Sequence, residues 1–196
     1  MTQGSLEQVI AGLREGKLAS FPTDTVPALA ARPDRAEAIY TAKQRSLEKP
    51  LILMGATPDA LWPFCQGTPA EREIWQDMAQ QYWPGMLTLV LPASDRVPLA
   101  MHPKDPIAIG VRIPNSPIAL EILAATGPLA TTSANLSGRP TLSTLAEIET
   151  QFPQVLTLNA NEVTTVRTGS GVPSTVARWM GNGWEILRQG AVTLES

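Results

Sequence analysis

Four short polar clusters interrupt the apolar segments of this 196-residue chain, and each could bind an anion or a small polar ligand. The first is residues 22–25, Pro-Thr-Asp-Thr, where two hydroxyls and a carboxylate follow an apolar run. Such groups can hydrogen-bond a ligand, or they can satisfy the backbone of an ordinary turn. The sequence leaves both interpretations open for this cluster.

The second and third clusters are cationic. Lys43, Arg45 and Lys49 place three positive charges within seven residues. Arginine binds phosphate as a two-pronged donor and lysine as a point charge, although cations also stabilise the C-terminal end of a helix. Arg112 lies in the apolar segment 107–113, where burial of an unpaired charge is costly. We therefore expect Arg112 either to face an anion in a cleft or to form an ion pair in the core.

The fourth cluster, residues 131–138, reads Thr-Thr-Ser-Ala-Asn-Leu-Ser-Gly and follows an apolar segment. Its small hydroxyl and amide groups suit close approach by a nucleotide. The chain contains neither the Walker A pattern nor the glycine pattern of dinucleotide-binding folds. ATP binding would therefore need another scaffold.

The overall composition excludes several classes of function. A formal net charge of −3 argues against tight, non-specific binding of nucleic acid. Cys65 is the only cysteine, which excludes an intrachain disulfide and a cysteine-cluster metal site. His102, the only histidine, lies in a proline-rich stretch, and we assign it no catalytic role. With no signal peptide and no apolar run near the ~20 residues of a membrane span, we predict a cytoplasmic protein.

Hydrophobic periodicity and end signals predict the elements that carry these clusters. We predict helices at residues 5–15, 34–43, 68–83, 116–127 and from 144 onward, and strands at 18–21, 50–54, 86–91, 107–113, 129–132, 155–158, 174–179 and 184–188. We expect Asp34 to cap the second helix, and Thr68 and Thr144 to open capping boxes. Early helix–strand alternation and a late hairpin at residues 182–183 predict one α/β domain with a mixed sheet. The clusters then lie at element ends, where open α/β sheets place their ligands.

Seven segments, taken in order, resemble the YrdC/Sua5 family and cover nearly the whole chain. They are residues 21–26, 43–45 with 49–51, 83–89, 111–114, 133–138, 173–176 and 186–190. The length is similar to that of the short, single-domain threonylcarbamoyl-AMP synthase type, so one YrdC-like domain is expected over residues 1–196. The resemblance implies a twisted mixed sheet with flanking helices and a large, positively lined cavity.

The same resemblance implies that ATP, L-threonine and bicarbonate are converted to threonylcarbamoyl adenylate and pyrophosphate. A separate transferase complex would then modify tRNA, and direct tRNA binding is expected to be weak. Mg²⁺ is expected with ATP, held mainly by phosphates and water, and no protein metal site is predicted. The resemblance assigns Lys43, Arg45 and Lys49 to phosphate binding and catalysis, Thr23, Thr25, Arg112 and Ser174 to threonine, and Thr88, Thr132, Ser133, Asn135 and Arg188 to the nucleotide.

One segment departs from the family pattern. Pro27 and Ala28 stand where members usually have Tyr-Gly, so a backbone donor, a ring and a flexible glycine are replaced. This departure predicts a reshaped pocket beside the first cluster. It also keeps open a catalytically altered paralogue that binds nucleotide or RNA. A second alternative is an enzyme acting on carbamoyl phosphate, as in the YrdC-like module of the much larger hydrogenase maturation factors.

Overall fold

The computed structural model describes residues 2–101, 104, 107–163 and 169–194, and these residues form one mixed sheet of ten strands flanked by helices. His102 lies outside the described residues. The strands are β1 (Gln3–Gly4), β2 (Ala19–Phe21), β3 (Ala28–Ala31), β4 (Ile52–Met54), β5 (Leu87–Pro92), β6 (Ala108–Arg112), β7 (Leu129–Ser133), β8 (Leu156–Leu158), β9 (Thr175–Trp179) and β10 (Trp184–Arg188). The helices are α1 (Leu6–Arg14), α2 (Glu37–Lys43), α3 (Pro58–Leu61), α4 (Pro69–Tyr82), α5 (Pro117–Thr126), α6 (Leu145–Gln151) and α7 (Ala160–Val163).

The strand order is β1-β8-β2-β3-β7-β4-β6-β5-β9-β10. The pairs β1–β8, β2–β8, β4–β6 and β5–β9 are parallel, and the other neighbours are antiparallel. This order places β3 between β2 and β7, so the start of β3 lies beside the end of β7, with Ala28 opposite Ser133. The first and fourth polar clusters, more than 100 residues apart in sequence, are therefore neighbours. The predicted α/β fold with a mixed sheet is confirmed.

Both faces of the central sheet are buried. Alternate residues of the same strands pack on opposite sides: Ala30 and Met54 pack in a cluster that includes residues of α1 and α5, whereas Ala31 and Leu53 pack in one that includes residues of α2 and α4. All four residues of β3 are consequently buried. A strand buried on both faces shows no apolar–polar alternation, which is why the sequence did not predict β3.

Helix starts follow side-chain caps in most of the predicted places. Thr68 opens α4 and Thr144 opens α6 with complete capping boxes, as predicted, and Ser5 does the same for α1. The predicted cap at Asp34 is wrong: residues 33–35 form a short 3₁₀ turn, and α2 begins at Glu37 without a side-chain cap. The Asp34 carboxylate instead accepts two hydrogen bonds from Arg32, at 2.9 and 2.8 Å.

The hairpin predicted at residues 182–183 joins the antiparallel strands β9 and β10. The Met180 backbone N–H donates to the Gly183 carbonyl at 2.9 Å, and Gly181 supplies the positive φ of 89°.

In the part of the chain that the structure describes, no helix is both long and apolar enough to cross a bilayer.

Candidate functional site

Arg112 ends β6 and is 4% exposed. Its guanidinium donates to Asp24 Oδ1 at 2.6 Å, to Thr25 Oγ1 at 3.0 Å and to the Gly85 carbonyl at 3.0 Å. Burial lowers the pKa of Arg112, and the adjacent Asp24 carboxylate opposes that shift. These bonds use three of the five N–H groups of an arginine, so two remain available. The sequence left open whether Arg112 forms an ion pair in the core or faces a cleft. In the structure it does both: it pairs with Asp24 and it lines a cavity.

The loop of the first cluster is tightly organised by its own hydroxyls. Thr23 Oγ1 donates to the Val26 carbonyl at 2.7 Å and lies 3.1 Å from Thr25 Oγ1. Gly169 packs directly on this loop, since a Cβ there would lie 2.3 Å from the Thr25 carbonyl oxygen. The backbone N–H groups of residues 170 and 171 donate to loop carbonyls at 2.9 Å each. The threonines that stabilise this turn are therefore the same ones that were predicted to bind a ligand, and both of their side chains are buried.

Lys43, the last residue of α2, is 1% exposed and lies behind the cavity wall. Its ammonium donates to Thr132 Oγ1 at 3.3 Å, to Asn135 Oδ1 at 3.1 Å and to the Ser133 carbonyl. Burial lowers the pKa of Lys43 to about 7, with a smaller contribution from the nearby Arg45 charge. The α2 C-cap residue Gln44 is left-handed (φ 51°), so the chain turns sharply between the two cations.

Asn135 has its hydrogen-bonding groups committed within the protein. Oδ1 accepts from Lys43 and, at 2.6 Å, from Ser133 Oγ. Nδ2 donates to the carbonyls of Leu136 and Arg139, at 2.9 and 2.7 Å. An amide offers two donor hydrogens and an acceptor oxygen with two lone pairs, so this side chain is saturated. Its position organises the loop after β7 and leaves the amide no free group for a ligand.

Arg45 follows the α2 cap and reaches the cavity. Its guanidinium donates to the carbonyls of Lys49 and Pro50, at 3.0 and 2.9 Å, and it lines the cavity beside Pro50. Lys49 itself is exposed, and its side chain is not part of the described cavity lining. The structure thus brings the second cation of this cluster to the cavity, places the first behind its wall and leaves the third outside.

A third arginine lines the cavity from the edge strand β10. Arg188, at the end of β10, donates to the Ser174 carbonyl at 2.8 and 3.1 Å and to Ser174 Oγ at 3.2 Å. The Ser174 hydroxyl also bonds Thr88 Oγ1 at 2.9 Å. Thr88 is fully buried and does not line the cavity, so its contact with the cavity is indirect, through the Ser174 hydroxyl.

Arg45, Arg112, Arg188 and Ser174 line one cavity of about 160 Å³, which we call the polar cavity. Three guanidiniums line it, and none of its described lining residues is acidic. Eight of the predicted site residues lie in its wall: Thr23, Thr25, Arg45, Arg112, Thr132, Ser133, Ser174 and Arg188. The sequence analysis missed its apolar side, which includes Val26, Ile52 and Met54.

A second and larger cavity, of about 470 Å³, lies across the same loop, and we call it the apolar cavity. The two cavities share Thr23, Thr25, Val26 and Pro27 in their walls. Its other side is formed by residues 141–145 and 169–171, which sequence analysis did not select. The glycines at 169 and 171 were the available signal: Gly169 lies too close to the Thr25 carbonyl for a Cβ, and Gly171 has a positive φ of 74°.

No carboxylate lines either cavity in the part of the chain that the structure describes. Among the described residues, no three His, Cys, Asp or Glu side chains cluster to hold an ion, and both cavities offer hydroxyls and carbonyls in place of carboxylates. Mg²⁺ keeps several waters and commonly uses substrate phosphates as ligands. A Mg²⁺ ion in either cavity would therefore need ligands from a bound phosphate and from water.

A family model named Sua5_yciO_yrdC and described as telomere recombination matches residues 11–190. Threonylcarbamoyl-AMP synthase of Vibrio campbellii is 36% identical over 152 residues, which is 76% of this chain and 81% of that protein. The synthase of Vibrio cholerae is 34% identical over 194 residues, covering 95% of this chain and 97% of that protein. The prediction that the chain is an enzyme is confirmed by these relatives.

The fold is also similar to a solved structure with a bound amino acid. A crystal structure of Pyrococcus abyssi Sua5 complexed with L-threonine superposes with a TM-score of 0.83 at 32% identity. The match covers 94% of this chain and 54% of that one, so this chain spans about half the length of the Pyrococcus protein.

Proposed function

The chain belongs to the Sua5/YciO/YrdC family, and from the polar cavity we propose that it is a threonylcarbamoyl-AMP synthase. It would form threonylcarbamoyl adenylate and pyrophosphate from ATP, L-threonine and bicarbonate. The observation that carries this proposal is the set of three guanidiniums around a cavity whose described lining has no carboxylate. The reaction joins anions, so neutralising and aligning charge is its main requirement.

The sizes of the two cavities support a division of the substrates. Drug-sized ligands usually occupy pockets of roughly 300–1,000 Å³. The polar cavity, at about 160 Å³, has room for one small amino acid or its carbamate and not for a whole ATP. The adjoining apolar cavity, at about 470 Å³, can take the base and sugar. The phosphates would then cross the shared wall toward the arginines.

Each cation has a part in this arrangement. Arg112 keeps two N–H groups free for the substrate carboxylate after bonding Asp24, Thr25 and Gly85. Arg45 and Arg188 would face the phosphates from opposite sides. Thr23, Thr25 and Ser174 would contact the polar groups of threonine. Lys49, exposed outside the described lining, would meet only the outer phosphates.

The residues behind the wall would act on the nucleotide through their neighbours. Lys43 holds Thr132 and Asn135, and its charge lies one hydrogen bond from the cavity. The neighbours of Lys43 that line the cavity are Thr132 and Ser133. Thr88 would keep Ser174 in place.

The proposed chemistry needs no covalent intermediate with the protein. The threonine amine and bicarbonate combine to a carbamate and release water. A carbamate oxygen then bonds to the α-phosphorus of ATP while the bond to pyrophosphate breaks. Mg²⁺, bound through the phosphates, would supply further neutralisation of charge. The adenylate product would pass to a separate transferase that modifies tRNA, and direct tRNA binding would be weak because the net charge is −3.

The decisive experiment measures pyrophosphate release with each substrate omitted in turn. We expect release only when ATP, L-threonine and bicarbonate are all present. ATP binding without pyrophosphate or adenylate under any combination would contradict the proposal. That result would favour the altered paralogue that binds nucleotide or RNA, which Pro27 and Ala28 keep open. Turnover of carbamoyl phosphate would favour the other alternative.

A further inference from the structure

The last described segment of the chain, residues 189–194, folds back over the start of β9, and we call it the C-terminal strap. One buried hydroxyl holds its backbone. Thr175 Oγ1 accepts from the N–H groups of Gly190 and Val192, at 3.0 and 3.1 Å, and donates to the Val192 carbonyl. Thr175 is fully buried and does not line the polar cavity.

The strap also packs directly on the backbone of residues 173–174, just before β9. A Cβ on Gly190 would lie 2.3 Å from the Pro173 carbonyl oxygen and 2.5 Å from that of Ser174. The Ala191 N–H donates to the Pro173 carbonyl at 3.1 Å. Two independent features, the Thr175 hydroxyl and the close approach at Gly190, therefore fix the strap at one place.

That place determines where Arg188 can point, because Arg188 is the residue directly before the strap. A bulge at Leu187 breaks the β9–β10 register, so that Arg188 lies opposite Val176. Its guanidinium turns onto Ser174, which lines the polar cavity. Ser174 and Thr175 are adjacent in an extended segment, so their side chains lie on opposite faces. Ser174 lines the cavity, and Thr175 binds the strap on the opposite face.

We propose that Thr175 is a positioning residue for Arg188. Its hydroxyl anchors the C-terminal strap, and the anchored strap keeps the Arg188 guanidinium on Ser174 at the cavity wall. The geometric part of this inference concerns the chain alone. The consequence for ATP rests on the function proposed above, in which Arg188 meets the phosphates.

The geometric part is tested by NMR on the Arg188 Nε–H, assigned by its loss in Arg188→Lys. Thr175→Val removes the hydroxyl and keeps the shape, whereas Thr175→Ser keeps the hydroxyl. Loss of the hydrogen bond to Ser174 should speed solvent exchange of this proton about fivefold or more in Thr175→Val. Thr175→Ser should remain close to the parent protein.

A matched control is Thr157→Val. Thr157 is also fully buried, its hydroxyl donates to Glu149 Oε1 at 2.8 Å, and it lies in β8 near the other edge of the sheet. This variant should lower stability without changing exchange at Arg188. Equal acceleration in Thr157→Val would overturn the proposal, because general destabilisation would then account for the effect. Unchanged exchange in Thr175→Val would overturn it as well.

Val192→Pro removes the N–H that donates to Thr175 Oγ1, keeps Thr175 itself and decides the matter if Thr175→Val does not fold. We expect the same faster exchange at Arg188, since the strap then loses a hydrogen bond to its anchor. Normal exchange in a folded Val192→Pro protein would contradict the role of the strap.

The ATP consequence is read separately by calorimetry. Arg188→Ala should weaken ATP binding about 10- to 100-fold. Thr175→Val should weaken it about three- to tenfold, with little further loss when added to Arg188→Ala. Additive losses would overturn positioning through Arg188. If the parent protein binds no ATP at all, the proposed function fails while the NMR result still decides the role of Thr175.

Discussion

The cations around the polar cavity fall into two regions that are held in opposite ways. The first region, which we call the inner wall, consists of Arg112 in the cavity lining and Lys43 directly behind it. Both are buried, and each of these side chains donates three hydrogen bonds to protein oxygens. The rim, Arg45 and Arg188, is more exposed and bonds mainly backbone carbonyls. The comparison indicates that the inner wall contributes strongly to folding, whereas under the proposed function the rim would mainly meet the ligand. Lys43 and Arg45, two residues apart, would then have different roles.

The largest effect should come from breaking the inner wall at Arg112. Arg112→Met would leave the Asp24 carboxylate, whose side chain is 8% exposed, without its ion-pair partner. Breaking a buried pair from one side typically costs about 3–5 kcal/mol of unfolding free energy. Urea denaturation of the ligand-free protein measures this loss.

Arg32→Met is the matched control, because Arg32 also pairs with an aspartate, Asp34, at 2.8 Å. Those two side chains are 45% and 49% exposed, and surface pairs of this kind contribute about 0–1 kcal/mol. Equal losses in the two variants would refute the distinction between a buried pair that supports the site and an ordinary surface pair.

The rim should behave differently from the inner wall. Arg45→Ala should weaken ATP binding by about 1.5–3 kcal/mol, the range for hydrogen bonds to charged groups, and lower stability by less than about 1 kcal/mol. Calorimetry with ATP and thermal melting of the same variant separate the two effects. Lys49→Ala, at an exposed position in the same cluster, should change ATP binding less. Unchanged ATP affinity with a lower melting temperature would show that Arg45 only stabilises the end of α2.

Lys43 should show a pH-dependent contribution to stability that the rim lacks. Burial lowers the pKa of Lys43 to about 7 from 10.5, so the unfolded chain binds more protons between these values. Unfolding free energy therefore rises with pH in that window. Lys43→Met removes this titration and leaves the Ser133 and Asn135 oxygens short of a donor, at a cost of about 1–3 kcal/mol.

We expect the stability difference between the parent protein and Lys43→Met to widen from pH 7 to pH 9, by no more than about 1.4 kcal/mol per pH unit. Urea denaturation at both pH values measures it. A constant difference would mean that the Lys43 amine has the same proton affinity in the folded and unfolded chains.

The sequence predicted features that depend on local chemistry. The caps at Thr68 and Thr144 are satisfied within three residues, and the clusters could be placed at strand ends because strand ends follow from apolar runs. The predicted cap at Asp34 is wrong because its carboxylate accepts hydrogen bonds from Arg32, which lies outside the predicted helix. The strand β3 failed because burial on both faces removes alternation.

Features that depend on distant residues could not be predicted from the sequence. The saturation of Asn135 requires a carbonyl four residues away and the Lys43 ammonium 92 residues away. The apolar cavity joins residues 141–145 to residues 169–171 and to the loop of the first cluster. Only the folded chain shows that Lys43 and Arg45 lie on different sides of the cavity wall.

The smallest expected effect concerns Pro27, which lies in the wall shared by the polar and apolar cavities. Its carbonyl accepts from the Ala134 N–H at 2.8 Å, and Ala28 pairs with Phe21 and Ser133 at the start of β3. Among the described non-glycine residues, only Gln44 has a positive φ, so Ala28 needs no glycine-like freedom. The departure from Tyr-Gly is therefore compatible with the fold, and its effect should lie in the shape of the shared wall.

The double variant Pro27→Tyr with Ala28→Gly tests this by comparing threonine with serine in pyrophosphate release. A tyrosine ring would add a large surface and a hydroxyl to the shared wall, which should increase selectivity for threonine a few-fold. Glycine in a strand costs roughly 0.5–1 kcal/mol relative to alanine, so the melting temperature should fall slightly. A variant that unfolds, combined with a parent protein already fully selective for threonine, would mean that another residue shapes the amino-acid site. Selectivity would then belong to the residues around Arg112, and the partition at Pro27 would have no part in it.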